Sequence, residues 1–562
     1  MGELSEPAAQ ALVYVTMVIF MGIGLYAGRQ TGNSKELFLA ARQTQNALPL
    51  GLNFLATSIG TWILFSLPEI GTIAGLLGVI AYSLACVFPL IVFAWLGPII
   101  RRHNPDGFSL VSYVLQRFGR PLHILYCLII IVYMALFLVS EFTGIGSILS
   151  LLAGIEGPVP VIILALVTTI YTAYGGLRAS IFTDSIQAAL ATVMIIIAVV
   201  AIGTSVRFDH ETAVDSGLLD STKLGWELMY IMPIAVTFAN MYHQGFWQRT
   251  FSAKDDRTLL WSSVIGSLVT LPVLILIGVC GLIAVWAGTW TADQPGYQAF
   301  FTLFQVLPTW VLGLTVVMSV SLVCCSVDTL QCALTSSVAE LFCNKLSLRW
   351  CRVIAVVINA PTLYLSLAQI DILQLFLVAD LLASATILPV VLGLIRGSHR
   401  YFNGWEALCG CIGGLASVVV FGGFYYGDIV EGFKLLYLSN GLYVDDESVL
   451  GAFIVAPLSS MLVTALASGV RMAFVRFILK RDPLASPKSF NHAPATVSAD
   501  IAYEDSGDDD NRSARAFSKR SPSTKSPVVN RKSLQGLGVH LLNDSGKPNR
   551  PVHPGHSWAE SA

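Results

Sequence analysis

The chain has 562 residues, of which 55% are hydrophobic and only 12% charged, and its formal net charge is −2. Soluble domains carry about 25% charged residues, so this composition, with a mean hydropathy of +0.70, excludes a soluble globular protein. Charge is segregated along the chain rather than missing, and no nucleic-acid partner is expected.

Thirteen apolar segments lie near 11–28, 50–72, 74–98, 122–150, 158–175, 183–204, 226–245, 259–287, 309–342, 350–368, 372–396, 405–424 and 449–478. Each approaches the ~20 residues that a bilayer core requires. They predict an all-α integral membrane protein, and are called spans 1 to 13 below. The N-terminus, MGELSEPAAQ, is acidic and lacks the cationic region of a cleavable signal, so span 1 is expected to stay as an anchor with residues 1–10 outside. Lys and Arg test the count independently. Alternate loops carry Arg29, Lys35 and Arg42; Arg101, Arg102, Arg117 and Arg120; Arg178; Arg249, Lys254 and Arg257; Lys345, Arg349 and Arg352; and Arg396 and Arg400. The intervening loops hold only Arg207, Lys223 and Lys434 and are otherwise acidic. By the positive-inside rule this alternation predicts an odd number of spans, the N-terminus outside, the C-terminus in the cytoplasm, and a multi-pass protein of the plasma membrane.

The ten cysteines fall in spans or at their ends, which predicts neither a disulfide framework nor a zinc site. Residues 481–562 turn abruptly to Ser, Pro, Asn, Asp, Lys and Arg, the composition of a disordered cytoplasmic tail. Its acidic run Glu504–Asp510 and its Ser-Pro patches are candidate sites for kinases or regulatory proteins, against the favoured reading of a solvated tail without a specific partner.

Polar residues interrupt the spans at a few places. The centre of span 2, Ala56-Thr57-Ser58-Ile59-Gly60-Thr61, is small and hydroxylated where lipid-facing helix would carry Leu or Val. Gly60 permits unwinding, and freed carbonyls could then hold a cation; close packing of small residues is the alternative. Between spans 5 and 6 the run YTAYGGLRASIFTDSIQ places paired glycines, Arg178 and Asp184 at the mouth of a helix. It reads either as a functional element or as an interfacial loop with Asp184 as an ordinary cap. Span 7 ends in ANMYHQGFWQR; as a helix it would put Asn240 and Gln244 on one face and His243 and Trp247 on another. Five spans separate this second interruption from the first, the spacing of two inverted five-helix repeats. In span 9, CSVDTLQC sets Ser326 and Thr329 on one face and buries Asp328. Span 11 carries Asp380, span 4 Glu141, and span 2 Glu69.

Taken in order, these segments resemble the sodium:solute symporter family (solute carrier family 5-like) over residues 10–480. YTAYGGLRASIFTDSIQ is similar to the family's TxxGGLxAxxxTDxxQ signature, FLAARQTQNALPLGLNFLATSIGT to its first broken helix, ANMYHQGFWQR to its second, and CSVDTLQCALTS to its ion-binding helix. The resemblance implies a LeuT-type 5+5 inverted repeat within a transporter domain at 11–480, with repeats at about 50–204 and 226–396. It implies a sodium site from the carbonyls of Ala56, Ile59 and Leu322 and the side chains of Cys325 and Ser326, with Asp184 and Thr329 serving a second cation or its release. Cys325 replaces a family hydroxyl, and a thiol is a poor ligand for a hard cation, so Na⁺ and H⁺ both stand as the coupling ion. The family's substrate positions correspond to Trp62, Ile63, Tyr82, Asn240, Tyr242 and His243, with Asp380 added from span 11.

The expected function is cation-coupled symport of a small polar solute by alternating access. FLVADLLASATILPV and HQGFWQR look most like the fungal and plant urea/polyamine branch, which favours a urea-like solute. The alternative is a transporter-like nutrient sensor signalling through the tail. An enzyme is not expected, and neither is a cofactor or any metal beyond Na⁺.

Overall fold

The structure, a computed structural model, describes residues 5–480 apart from Gln30, Asn33, Asp106, Phe108, Asp209, 369–371, Arg396 and 439–446; the tail expected at 481–562 lies outside the described residues. Among the described residues, regular structure is helical except for one isolated bridge between Gln45 and Ala253. Among the described residues, ten helices are long and apolar enough to cross a membrane. Two of these, Trp62–His103 and Val159–Ser205, each turn a corner inside, at Gly75 and Gly176. Divided there, and joined by Ala47–Ser58 and the pair Lys223–Tyr242 and Gln244–Ser252, they account for all thirteen apolar segments. The first helix begins at Glu6 rather than at residue 11, and span 10 is two short helices, Leu348–Val357 and Asn359–Ser366.

The two corners depend on glycine. Gly75 (φ 65°, ψ −160°) and Gly176 (φ 59°, ψ −152°) occupy a backbone region that other residues essentially never adopt. At Gly176 a Cβ would also lie 2.5 Å from the Phe38 ring. Gly176→Ala is therefore expected to destabilise the purified protein by about 1–3 kcal/mol from backbone strain alone. Gly203→Ala, in the same helix with open space around it, should leave the melting temperature unchanged or raise it. Equal melting temperatures for the two variants would show that the corner tolerates a side chain.

Span 2–3 packs along Asp256–Trp286 and Lys223–Tyr242, and span 5–6 along Thr309–Leu341 and Glu6–Gly28. Thr309–Leu341 lies at the centre, with residues Val320–Cys325 all nearly inaccessible. The outer faces are apolar: Trp95, Leu268 and Val470 are each 70% exposed and Phe424 86%. Such faces suit hydrocarbon, where every backbone group is already satisfied within its helix.

Candidate functional site

Span 2 breaks where its small residues lie. Ala47–Ser58 ends in Ile59, whose backbone is extended (φ −112°, ψ 146°) and whose N–H donates to Leu55 O. The chain re-enters helix at Trp62. The Ala56 carbonyl faces the Cys325 thiol of span 9, which donates to it at 3.8 Å. Glu141, from the middle of span 4, reaches into this break. One carboxylate oxygen accepts both the Thr61 N–H and the Thr61 hydroxyl, each at 3.0 Å. A Cβ on Gly60 would sit 2.0 Å from the other oxygen. Gly60 therefore makes room for a carboxylate as well as permitting the break. The carboxylate caps the N-terminus of the second half-helix, where backbone N–H groups and the helix dipole favour negative charge.

Span 7 breaks at His243 (φ −73°, ψ 96°). The break expected from the family resemblance is formed, so Asn240 and Gln244 lie on different helices and do not share the face that an unbroken helix would give them. Gln244 turns to Glu340, donating to it at 3.5 Å. The His243 ring packs edge-on against Phe246 (5.1 Å) and Phe137 (5.8 Å). Its Nδ1 has no partner among the described residues.

A cavity of about 60 Å³ lies between the two breaks. Trp62, Tyr82, Asn240, His243 and Asp380 line it, as do Ile59 and Ser326 of the expected cation set. Ile63 and Tyr242 do not. Ile63 is fully buried, one residue and about 100° around the helix from Trp62. Tyr242 donates to the Thr386 hydroxyl at 2.7 Å and stacks on Tyr126, tying span 7 to span 11. Glu141, noted in the sequence only as an acid in span 4, also lines the cavity, as do Tyr133, Phe137 and Phe376, which motif reasoning did not select. Trp62, Tyr82, Phe137 and Phe376 form a connected aromatic set with centroid distances of 4.5–6.2 Å. Among the described residues neither Glu141 nor Asp380 belongs to an ion pair. Leu322 lies one turn before Ser326 in the unbroken helix Thr309–Leu341.

Asp184 is not a helix cap, and its run is not an interfacial loop. It lies inside Val159–Ser205 with no solvent exposure. Its carboxylate accepts from Arg249 at 2.5 Å, from Thr329 at 3.2 Å and from Ser180 at 3.3 Å. Arg249, expected in a cytoplasmic loop, is also fully buried. Its guanidinium joins the second half of span 7 to span 6 and, through Thr329 at 2.7 Å, to span 9. The same nitrogen thus reaches both residues that the motifs assign to a second cation.

Residues 37–414 match the profile of the sodium:solute symporter family. The chain belongs to that family. It is therefore a transporter and not an enzyme. This symporter is similar over almost its whole length to the spermidine transporter DUR31 of Candida albicans: 34% identity over 509 residues, 90% of this chain and 97% of that protein. It is also 28% identical over 223 residues to sodium/glucose cotransporter 2 of Rattus norvegicus, covering 39% of this chain and 32% of the cotransporter. Among solved structures, a Na⁺-coupled sialic acid symporter in a substrate-bound outward-open state superimposes with a TM-score of 0.66 at 14% identity, covering 82% of this chain and 97% of that one. That likeness establishes the LeuT-type fold.

Proposed function

We propose that this symporter moves a small organic cation of the polyamine class across the membrane, coupled to a cation gradient, by alternating access between the two broken helices. The observation that carries this reading is the pair of buried carboxylates, Glu141 and Asp380, facing one aromatic-lined cavity without a basic partner among the described residues. A carboxyl held away from water is neutral unless a counter-charge faces it, and a cationic solute supplies that charge. A polyamine supplies two or more ammonium groups on an apolar stem, and the surrounding ring faces attract them further. Neutral urea, the solute favoured by motif resemblance, would supply no charge to either acid. The similarity to a spermidine transporter points the same way.

The cavity of about 60 Å³ has room for several waters, at about 10–15 Å³ each on this measure. The distribution of Lys and Arg supports an orientation with the N-terminus outside and the tail in the cytoplasm. The repeat limits supported by the two breaks and two glycine corners are about 50–204 and 226–396. The test is uptake of labelled spermidine and labelled urea by the full-length protein in transport-deficient cells, with Na⁺ and pH gradients imposed separately. Spermidine should accumulate and urea should not. Urea uptake without spermidine uptake, or spermidine flux indifferent to both gradients, would overturn the reading.

A further inference from the structure

One buried acid stands apart from both the substrate cavity and the Arg249 ion pair. Glu340, in the last turn of Thr309–Leu341, is only 2% exposed. Among the described residues it belongs to no ion pair. One of its oxygens accepts from the Ser109 hydroxyl, which also caps Leu110–Phe118 by accepting from the Ser112 N–H at 3.1 Å. The other accepts from Gln244 at 3.5 Å, beyond the usual range for an N–H donor. Ser326, on the wall of the substrate cavity, lies about 21 Å from Glu340 along the same helix.

Gln244 and Gln248 share one face of Gln244–Ser252, and Ser336 and Glu340 share one face of span 9. The two faces meet, because Gln248 donates to the Ser336 hydroxyl at 3.0 Å as Gln244 does to Glu340. The Gln248 amide nitrogen also donates to the Leu39 carbonyl at 3.1 Å. Both amide nitrogens are thus engaged, and both amide oxygens are buried without a partner among the described residues. The Arg249 Nε–H is unpartnered too, but its guanidinium is turned to Asp184 and Thr329. Arg249 also lies about 100° around the helix from Gln248. A carboxyl and two amide oxygens therefore line a strip short of donors and of positive charge. An ammonium group supplies both.

We propose that Glu340, with the amide oxygens of Gln244 and Gln248, is an inner station that an ammonium group of the solute occupies between the substrate cavity and the cytoplasm. This inference rests on the polyamine reading and the orientation proposed above. His243 lines the cavity and immediately precedes Gln244, so the break of span 7 connects the two places. Backbone hydrogen bonds join the inner half of span 7 to the segment before span 2: Gln43 N–H to Phe251 O at 3.1 Å, and Gln45 N–H to Ser252 O at 3.0 Å. The two inner half-helices therefore move as a unit when the cytoplasmic side opens. The Gln244 contact is the longest of those holding that unit to span 9, against 2.7 Å for Arg249 to Thr329 and 3.0 Å for Gln248 to Ser336. Separation starts at Gln244, and an ammonium group takes the place of the neutral donor that Glu340 loses. Charge-assisted hydrogen bonds are about twice as strong as neutral ones, so this exchange favours the cation.

The test compares labelled spermidine uptake by the full-length protein in transport-deficient cells with uptake into inside-out vesicles of the same cells, where solute meets the cytoplasmic face. Glu340→Gln keeps the size of the side chain and an acceptor for Ser109. It should raise the half-saturating spermidine concentration in inside-out vesicles about tenfold and leave that in whole cells within about twofold. Glu340→Asp keeps the charge and should restore most of the inner-face affinity. Gln244→Leu removes one amide oxygen while leaving Glu340 on Ser109, and should weaken inner-face affinity about threefold. Unchanged inner-face affinity in Glu340→Gln, or an equal shift at both faces, overturns the inner station. If Glu340→Gln does not reach the membrane, unchanged inner-face affinity in Gln244→Leu overturns it instead. Wild-type protein that moves no spermidine in either preparation overturns the polyamine reading, and the inner station with it.

Discussion

Removing the Arg249 guanidinium is expected to cost about 3–5 kcal/mol of stability, the usual cost of breaking a fully buried ion pair from one side. Arg249→Met removes the cationic partner of Asp184 and the donor to Thr329 at once. It also leaves the Asp184 carboxylate without its ion-pair partner in the interior of the helix bundle. The protein should melt well below the wild type, pass poorly to the cell surface and transport nothing. The double variant Arg249→Met, Asp184→Asn restores the charge balance of the cluster, so it should recover a substantial part of the lost melting temperature. It should not recover gradient-driven uptake. A double variant no more stable than Arg249→Met would show that the side chain matters for its packed volume rather than its charge. The measurement is the thermal transition of purified full-length protein in detergent.

The helix inventory and the two breaks were legible in the sequence because they depend on local rules. Apolar length marks a span, and Gly60 beside hydroxylated residues marks a break. A dense polar run at residues 240–248 marks the second break, although helical periodicity placed Asn240 and Gln244 on one face that the kink at His243 separates. Arg249 was not legible. An arginine at the end of an apolar segment obeys the positive-inside pattern, and its burial depends on a carboxylate distant in the chain, at residue 184. The signature run left two readings open for a related reason. Paired glycines with Arg and Asp fit an interfacial loop as well as a functional element, whereas Gly176 lets the helix turn a corner and keep Ser180, Thr183 and Asp184 inside. Glu141 was visible only as an acid in a span. That it caps the broken helix of span 2 follows from how span 4 packs, which no periodicity encodes.

Asp380→Asn is expected to weaken spermidine binding by about 2 kcal/mol or more, roughly 30-fold in KM, with kcat affected less. The argument is electrostatic. Asparagine keeps the size of the side chain and a carbonyl acceptor, so lost affinity reports the missing charge rather than altered shape. Glu141→Gln probes the other acid lining the cavity, with a further consequence: the carboxylate also caps Thr61. Glutamine can still accept from the Thr61 N–H, so the break should survive while the charge does not. Amines of different length separate the two roles. A diamine or triamine able to span the cavity should depend on both acids. A monoamine should depend on one of them alone and be insensitive to loss of the other. If both variants weaken monoamine and polyamine uptake equally, the acids set the field of the whole cavity rather than holding separate ammonium groups. If neither variant alters affinity for any cationic amine, the two carboxylates serve the helix breaks alone and the solute is held elsewhere.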